Sequence, residues 1–250
     1  MKRILLGLLL AGALAPSTAV AATPKVTAYF DGTSINVDGQ ARTGPLEVTL
    51  TGIRRTSLAV IELAPGHTVS ELGDIAGLED PQQVERIGRL VAGGTVEPGR
   101  PYITTITAHE RNYAVVDVSG EDGSRVQFTA SGPGDGSYPA ADARVVIRDR
   151  SLEVPARLPR HGVIRVDNAG SQTGNALALR INPKLTTKEA IRRAVKRNQP
   201  MTAGTPINLV GLVSAGTTNR AQVHLRPGRY LVLSLVGAHA YAVTKVGAHD

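Results

Sequence analysis

The sequence predicts a mainly β protein made of two tandem Greek-key β-sandwich domains, each carrying a short helical insertion. Three observations predict it: the chain repeats itself, its apolar residues recur at period two in short runs, and each repeat holds a helix-start signal at the equivalent place. An offset of 118 residues lays Asp31 on Asp149, Gly44 on Gly162, Ile61 on Leu179, Leu63 on Ile181, Pro65 on Pro183 and Thr68 on Thr186 without a gap. An offset of 117 then lays Gly99 on Gly216, Tyr113 on Tyr230, Val116 on Leu233, Gly120 on Gly237 and Val126 on Val243. Self-similarity of this kind marks one structural unit used twice.

The elements follow in order. Lys2 and Arg3 precede the apolar run Ile4 to Leu14 and the small residues Ala19-Val20-Ala21-Ala22, the three-part pattern of a secretory signal peptide over residues 1–21. That run is about half of the ~20 residues that span a bilayer, so the mature chain is expected to have no transmembrane segment. A secreted protein is expected, placed in the extracellular space, the cell wall or the periplasm. Residues 22–130 form the first domain, with strand signals at Leu46-Val48-Leu50, Ala59-Ile61-Leu63, Ile103-Thr105-Thr107 and Ala114-Val116-Val118. Thr68-Val69-Ser70-Glu71 reads as a capping box. Asp80-Pro81 reads as an N-cap with Pro at the first helical position, and Val84, Ile87, Leu90 and Val91 then make one apolar helix face.

Residues 131–142 are rich in Gly and Pro, lack periodicity and read as a linker. Residues 143–250 form the second domain, with strand signals at Val145-Ile147, Ile164-Val166, Leu177-Leu179-Ile181, Val223-Leu225 and Leu231-Leu233-Leu235. Thr186-Thr187-Lys188-Glu189 repeats the capping box. Six or seven short strands and one helical insertion per copy favour sandwiches over a parallel sheet.

Composition excludes several functions. The chain has no cysteine, so no disulfide supports an exported fold and its stability must come from packed apolar cores, for which 42% hydrophobic content suffices. Aromatics are only 3%, with no Trp, which argues against a stacking platform for sugars or single-stranded nucleic acid. There is no Gly-x-Ser-x-Gly, His-Glu-x-x-His or phosphate-loop pattern, and no enzyme is expected.

Charge is divided unevenly. Residues 22–140 hold 9 Lys/Arg against 15 Asp/Glu, a net of −6, whereas residues 141–250 hold 17 against 6, a net of +11. Opposite signs favour contact between the two domains, and the second domain should attract an anionic polymer or an anionic surface. On a helix starting at Thr187, Lys188, Arg192, Arg193, Lys196 and Arg197 share one half and Ala190, Ile191, Ala194 and Val195 the other. This helix reads as a lid with a solvated basic face, as a polyanion contact or as a membrane-surface helix, and the five basic residues are the candidate polyanion site.

Two stretches of the second copy carry a family resemblance. Val166-Asp167-Asn168-Ala169-Gly170 and Leu225-Arg226-Pro227-Gly228-Arg229-Tyr230 resemble the Val-x-Asn-x-Gly and Leu-x-Pro-Gly-x-Tyr stretches of cupredoxin-like domains. The resemblance covers most of residues 143–250 and extends more weakly to 25–130. It implies a blue-copper fold whose thiolate position falls on Ser234 and, through the repeat, on Asp117. The first histidine ligand falls near Gly174 or Asn175, and only His239 lies where a second is expected. Blue copper needs two imidazoles and a thiolate, so the resemblance implies the fold with its copper ligands largely absent, and no cofactor is expected. His109, His224, His239 and His249 show no spacing such as His-x-x-x-His, and none is assigned as a metal ligand. The function expected is an exported, non-catalytic binding or scaffolding protein of the cell envelope or extracellular space. The alternative is a metal-binding or redox protein with a degenerate cupredoxin-like site.

Overall fold

A computed structural model describes residues 22–72, 81–119, 123–197, 199–236 and 239–247. The expected signal peptide at 1–21, Asp80, Gly120, Gly237 and His249 lie outside the described residues. The first copy contains β1 (Lys25–Phe30), β2 (Ile35–Gly39), β3 (Gly44–Gly52), β4 (Thr56–Leu63), β5 (Gly88–Val96), β6 (Tyr102–Ala108), β7 (Arg111–Asp117) and β8 (Arg125–Ala130). The second contains β9 (Ala143–Arg148), β10 (Ser151–Glu153), β11 (Arg157–Leu158), β12 (His161–Asn168), β13 (Gly174–Ile181), β14 (Gly204–Val213), β15 (Thr218–His224), β16 (Gly228–Ser234) and β17 (Ala240–Val246).

The strand orders match between copies. One sheet runs β2-β1-β3-β6 in the first copy and β10-β9-β12-β15 in the second; the other runs β5-β4-β7-β8 and β14-β13-β16-β17, with β11 added beside β17. The core of the first copy is built on Phe30, Leu46, Leu50, Leu58 and Ile106, and that of the second on Ile147, Ile164, Leu209 and Tyr230. Alternation explains which side chains enter: in β3 Leu46, Val48 and Leu50 are fully buried, while Glu47 and Thr49 between them are only partly so. Both sheets therefore contribute one face to each core, as a sandwich requires.

The copies join edge to edge. Strand β15 pairs antiparallel with β6 (Arg220 opposite Thr105, Ala221 opposite Thr104), which makes one eight-stranded sheet among the described residues. Ala221 of the second copy packs into the core of the first. The Tyr102 hydroxyl donates to the Leu209 carbonyl at 3.2 Å, and Leu90 and Ser214 exchange two hydrogen bonds. A Cβ on Gly211 would stand 2.7 Å from the Gly93 backbone, so close approach of β14 to β5 depends on that glycine. Backbone pairing and polar side chains make this junction, with the Glu85 carboxylate of the first copy accepting the Thr173 hydroxyl of the second at 2.5 Å. The 131–142 segment lies against the first copy, with the Gly134 N–H on the Thr43 carbonyl and the Thr23 hydroxyl on the Ser137 carbonyl.

The helical insertions cover the outer face of the second sheet of each copy. In the first copy a 3-10 turn (Val69–Leu72) and α1 (Pro81–Ile87) place Leu72 and Val84 on Ile61, Leu63 and Ala114. Helix α1 is shorter than its apolar spacing predicts, and Leu90 and Val91 belong to β5. Gly88 begins that strand, where a Cβ would stand 2.4 Å from the Glu62 carbonyl oxygen; pairing with β4 overrides the helical period. In the second copy α2 (Thr187–Ile191) passes into a π-helical turn (Arg192–Lys196), closed by the Arg197 N–H on the Arg192 carbonyl. A short α3 (Pro200–Ala203) follows, and Ala190, Ala194 and Ala203 are fully buried against Leu179, Leu231 and Leu233.

Candidate functional site

The two stretches behind the family resemblance serve the fold. Asn168 is buried, and its amide donates to the Gln172 and Val213 carbonyls at 2.9 Å while its oxygen accepts the Gly170 N–H. It thereby fixes the β12–β13 turn to β14. Tyr230 is buried and its hydroxyl donates to the Arg226 carbonyl, 2.7 Å away and four residues upstream. Tyr113 holds the same place in the first copy, accepting the His109 N–H at 2.8 Å. Both are tyrosine corners, and burial pushes both phenols above their ordinary pKa.

The positions where cupredoxin-like domains hold copper do converge in each copy. In the second, Asn175 at the start of β13 accepts the Leu235 and Val236 N–H groups at 2.8 and 3.0 Å, which draws the end of β16 onto it. Ser234 is buried there and donates to the Val236 carbonyl at 2.9 Å. In the first copy Thr56 and Asp117 are both buried. A single oxygen, Asp117 Oδ1, accepts the Thr56 hydroxyl at 2.7 Å and both the N–H and hydroxyl of Ser119 at 2.9 Å. Hydroxyls, an amide and a carboxylate stand where two imidazoles and a thiolate would be required. These donors do not fit blue copper. His239 is exposed, at φ 45°, and makes no hydrogen bond or ion pair with another described residue.

A different pair of imidazoles meets elsewhere. Antiparallel register sets His161 of β12 directly opposite His224 of β15, with ring centroids 5.2 Å apart and planes at 74°. Both side chains are exposed, on the sheet face away from the core, and neither has a hydrogen-bond partner among the described residues. The sequence offered His224 as an isolated histidine. The signal for its partner was available only jointly, in two strand assignments and their register, because 63 residues separate the pair.

The other histidine with defined surroundings is His109, whose Nδ1 lies 3.2 Å from both Glu62 oxygens. Arg89 Nε approaches the same carboxylate at 3.5 Å. His109 and Arg89 border a cleft of about 240 Å³ between the copies, closed on the other side by Gly216 to Thr218. It brings one imidazole and no second.

The five basic residues predicted as a polyanion site are placed as follows. Glu189 accepts from both Arg192 (2.7 and 2.8 Å) and Arg193 (2.8 Å), and these bonds hold its carboxyl down to about 2. Arg193 turns inward to the Thr202 carbonyl, whereas Lys188, Lys196 and Arg197 are exposed.

No protein-family model matches the chain, and no curated protein matches it. Among solved structures it is similar to a sodium-dithionite-reduced auracyanin from the photosynthetic bacterium Roseiflexus castenholzii, at 11% identity over 43% of this chain and 99% of that one, TM-score 0.29. It is also similar to auracyanin B, at 15% identity over 45% and 92%, TM-score 0.30. A copper nitrite reductase from Nitrosomonas europaea is matched at 14% identity over 91% and 95%, TM-score 0.27. The chain folds as two β-sandwiches with the same strand order, and the solved structures it is similar to include cupredoxins. Identities of this size bear on the fold alone, and no ligand is carried over from them. The expected non-catalytic binding or scaffolding role is corrected here: it finds no support among these matches, which are copper redox proteins and copper enzymes.

Proposed function

We propose that this is an exported metal-binding protein on a cupredoxin-like scaffold, taking a transition-metal ion at His161 and His224 and not at the fold's usual position. The facing of these two rings is the observation that supports it. An imidazole centroid lies about 3.2 Å from a metal bound at its nitrogen, since the bond is about 2.1 Å and the ring radius about 1.15 Å, so two imidazoles on a tetrahedral ion have centroids about 5.2 Å apart. The observed separation is 5.2 Å without any rearrangement of strands. Imidazoles suit Cu(II), Zn(II) and Ni(II), and two protein ligands leave positions open to water or to an incoming group. No catalytic step belongs to this reading.

The test is a Cu(II) and Zn(II) titration of the mature chain, followed by calorimetry and, for copper, electron paramagnetic resonance. One ion per chain is expected, with two nitrogen ligands and no blue-copper band. His161→Gln or His224→Gln should each weaken binding at least tenfold, and His239→Gln should leave it unchanged. Equal binding by the parent and the His161→Gln/His224→Gln double variant would end the proposal.

A further inference from the structure

The outer face of the second copy's first sheet carries a second cluster, distinct from the histidine pair and from the helix at 188–197. Register aligns Arg144 of β9, Arg165 of β12 and Arg220 of β15 in one row across three adjacent strands. Their neighbours along the strands, Val145, Ile164, Val166 and Ala221, point into the cores, so the three arginines point outward. Strand spacing of about 4.8 Å makes the row about 10 Å long.

Each guanidinium is already held. Asp167, buried beneath the row, accepts Arg144 Nε at 2.6 Å, Arg165 Nε at 2.8 Å and the Thr218 hydroxyl at 2.7 Å. Burial alone would push the Asp167 carboxyl up, and these hydrogen bonds more than offset it, so it stays below the usual range and charged. The bonds engage Nε, and neither arginine's terminal nitrogens have a partner among the described residues. Arg220 lies over the Tyr138 ring at 4.1 Å, and it is crowded, since burial and the nearby Arg165 both lower its pKa. One carboxylate therefore sits under three guanidinium groups. The row is bounded at one end by Thr105, followed by the Lys25–Glu47 pair, and near the other by the Arg148–Glu153 pair.

We infer that this row is a docking surface for a linear polymer of phosphates. Guanidinium forks match phosphate oxygens two at a time, and forks held in place lose little side-chain freedom on binding. A row about 10 Å long exceeds one phosphate and suits several in sequence. The scarcity of aromatics, at 3% of the chain, points away from the stacking by which sugar rings are gripped. The +11 balance of residues 141–250 adds long-range attraction.

Arg220→Gln is the variant of choice, because it removes one fork without unpairing buried Asp167. Binding of long-chain inorganic polyphosphate to the mature chain is measured by calorimetry with a chelator present, which separates this surface from the metal reading. The parent should bind with an affinity that falls as salt rises. Arg220→Gln should weaken it roughly tenfold and lower the slope against log salt by about one unit. Lys196→Gln/Arg197→Gln should leave it unchanged. A loss confined to that helix variant would overturn the inference. So would tighter binding to polygalacturonate, duplex DNA or phosphatidylglycerol vesicles than to polyphosphate, or equal binding of orthophosphate and the polymer.

Discussion

The two copies keep the same backbone convergence at the position to which the family resemblance assigns copper, and fill it with different chemistry. In the first, β4 and β7 close over a carboxylate that gathers three donors from Thr56 and Ser119. In the second, β13 and β16 are drawn together by Asn175, and Ser234 satisfies itself locally. The difference teaches that the closure needs hydrogen bonds but no particular donor set. It also predicts unequal sensitivity. Asp117→Ala removes three hydrogen bonds and takes the carboxylate from the buried Thr56 hydroxyl, and should cost about 3 kcal/mol, whereas Ser234→Ala removes one short-range bond and should cost about 1 kcal/mol. Urea denaturation of both variants measures the gap. Equal costs would break the comparison.

The tyrosine corners sharpen it. Tyr113 accepts the His109 N–H at 2.8 Å and lies 3.4 Å from the His109 carbonyl, while Tyr230 makes a single bond to the Arg226 carbonyl. Tyr113→Phe should therefore cost about 2 kcal/mol and Tyr230→Phe about 1 kcal/mol. Raised phenol pKa values mean that this stabilisation is present below the ordinary value of 10.0 and is lost as pH rises through the folded values. In the parent, thermal stability should decline on the alkaline side, and the Tyr113→Phe variant should decline less.

These contrasts show what the sequence could and could not convey. The repeat, the strand set and the tyrosine positions were legible because period two and the turn residues act locally. The fate of Leu90 and Val91 was not, because tertiary pairing of β5 with β4 overrode a helical spacing that continued past Ile87. The candidate site was hidden for a related reason. His161 meets His224, and Arg144 meets Arg165 and Arg220, only through register between strands distant in sequence. Charge counting drew attention to a helix where Glu189 already engages two of the five cations.

The capping boxes offer a smaller test. Each copy realises a different half of the same motif: in the first, Glu71 accepts the Thr68 N–H at 2.8 Å, and in the second, the Thr186 hydroxyl accepts the Glu189 N–H at 3.2 Å. Glu189 cannot reach back because Arg192 and Arg193 hold its carboxylate. Thr186→Ala should cost about 1 kcal/mol and remove hydrogen-exchange protection from the Glu189 amide. Thr68→Ala should cost less, since that hydroxyl points to the Glu71 side chain at 3.4 Å and not to a helix N–H.

The smallest effect concerns a pair of equivalent aspartates. Asp31 is held well below the usual carboxylate range by the backbone N–H groups of Ser34 and Thr33 and by both hydroxyls. Asp149, its counterpart at the 118 offset, is lowered by the N–H and hydroxyl of Ser171, 22 residues away. A depressed carboxyl contributes stability above its unfolded pKa, near 3.8, and that contribution is lost as pH falls through the folded value. The larger depression at Asp31 need not give the larger contribution. Its partners lie two and three residues away, so part of the turn persists in the unfolded chain and depresses the pKa there as well. The Ser171 contact of Asp149 exists only in the folded state. Urea midpoints at about pH 5 and about pH 2.5 should therefore show that Asp149→Asn loses more of the parent's acid-dependent stability than Asp31→Asn does. The reverse order would mean that the Asp31 turn forms only with the sheet, and that the β1–β2 hairpin has no local structure of its own before folding.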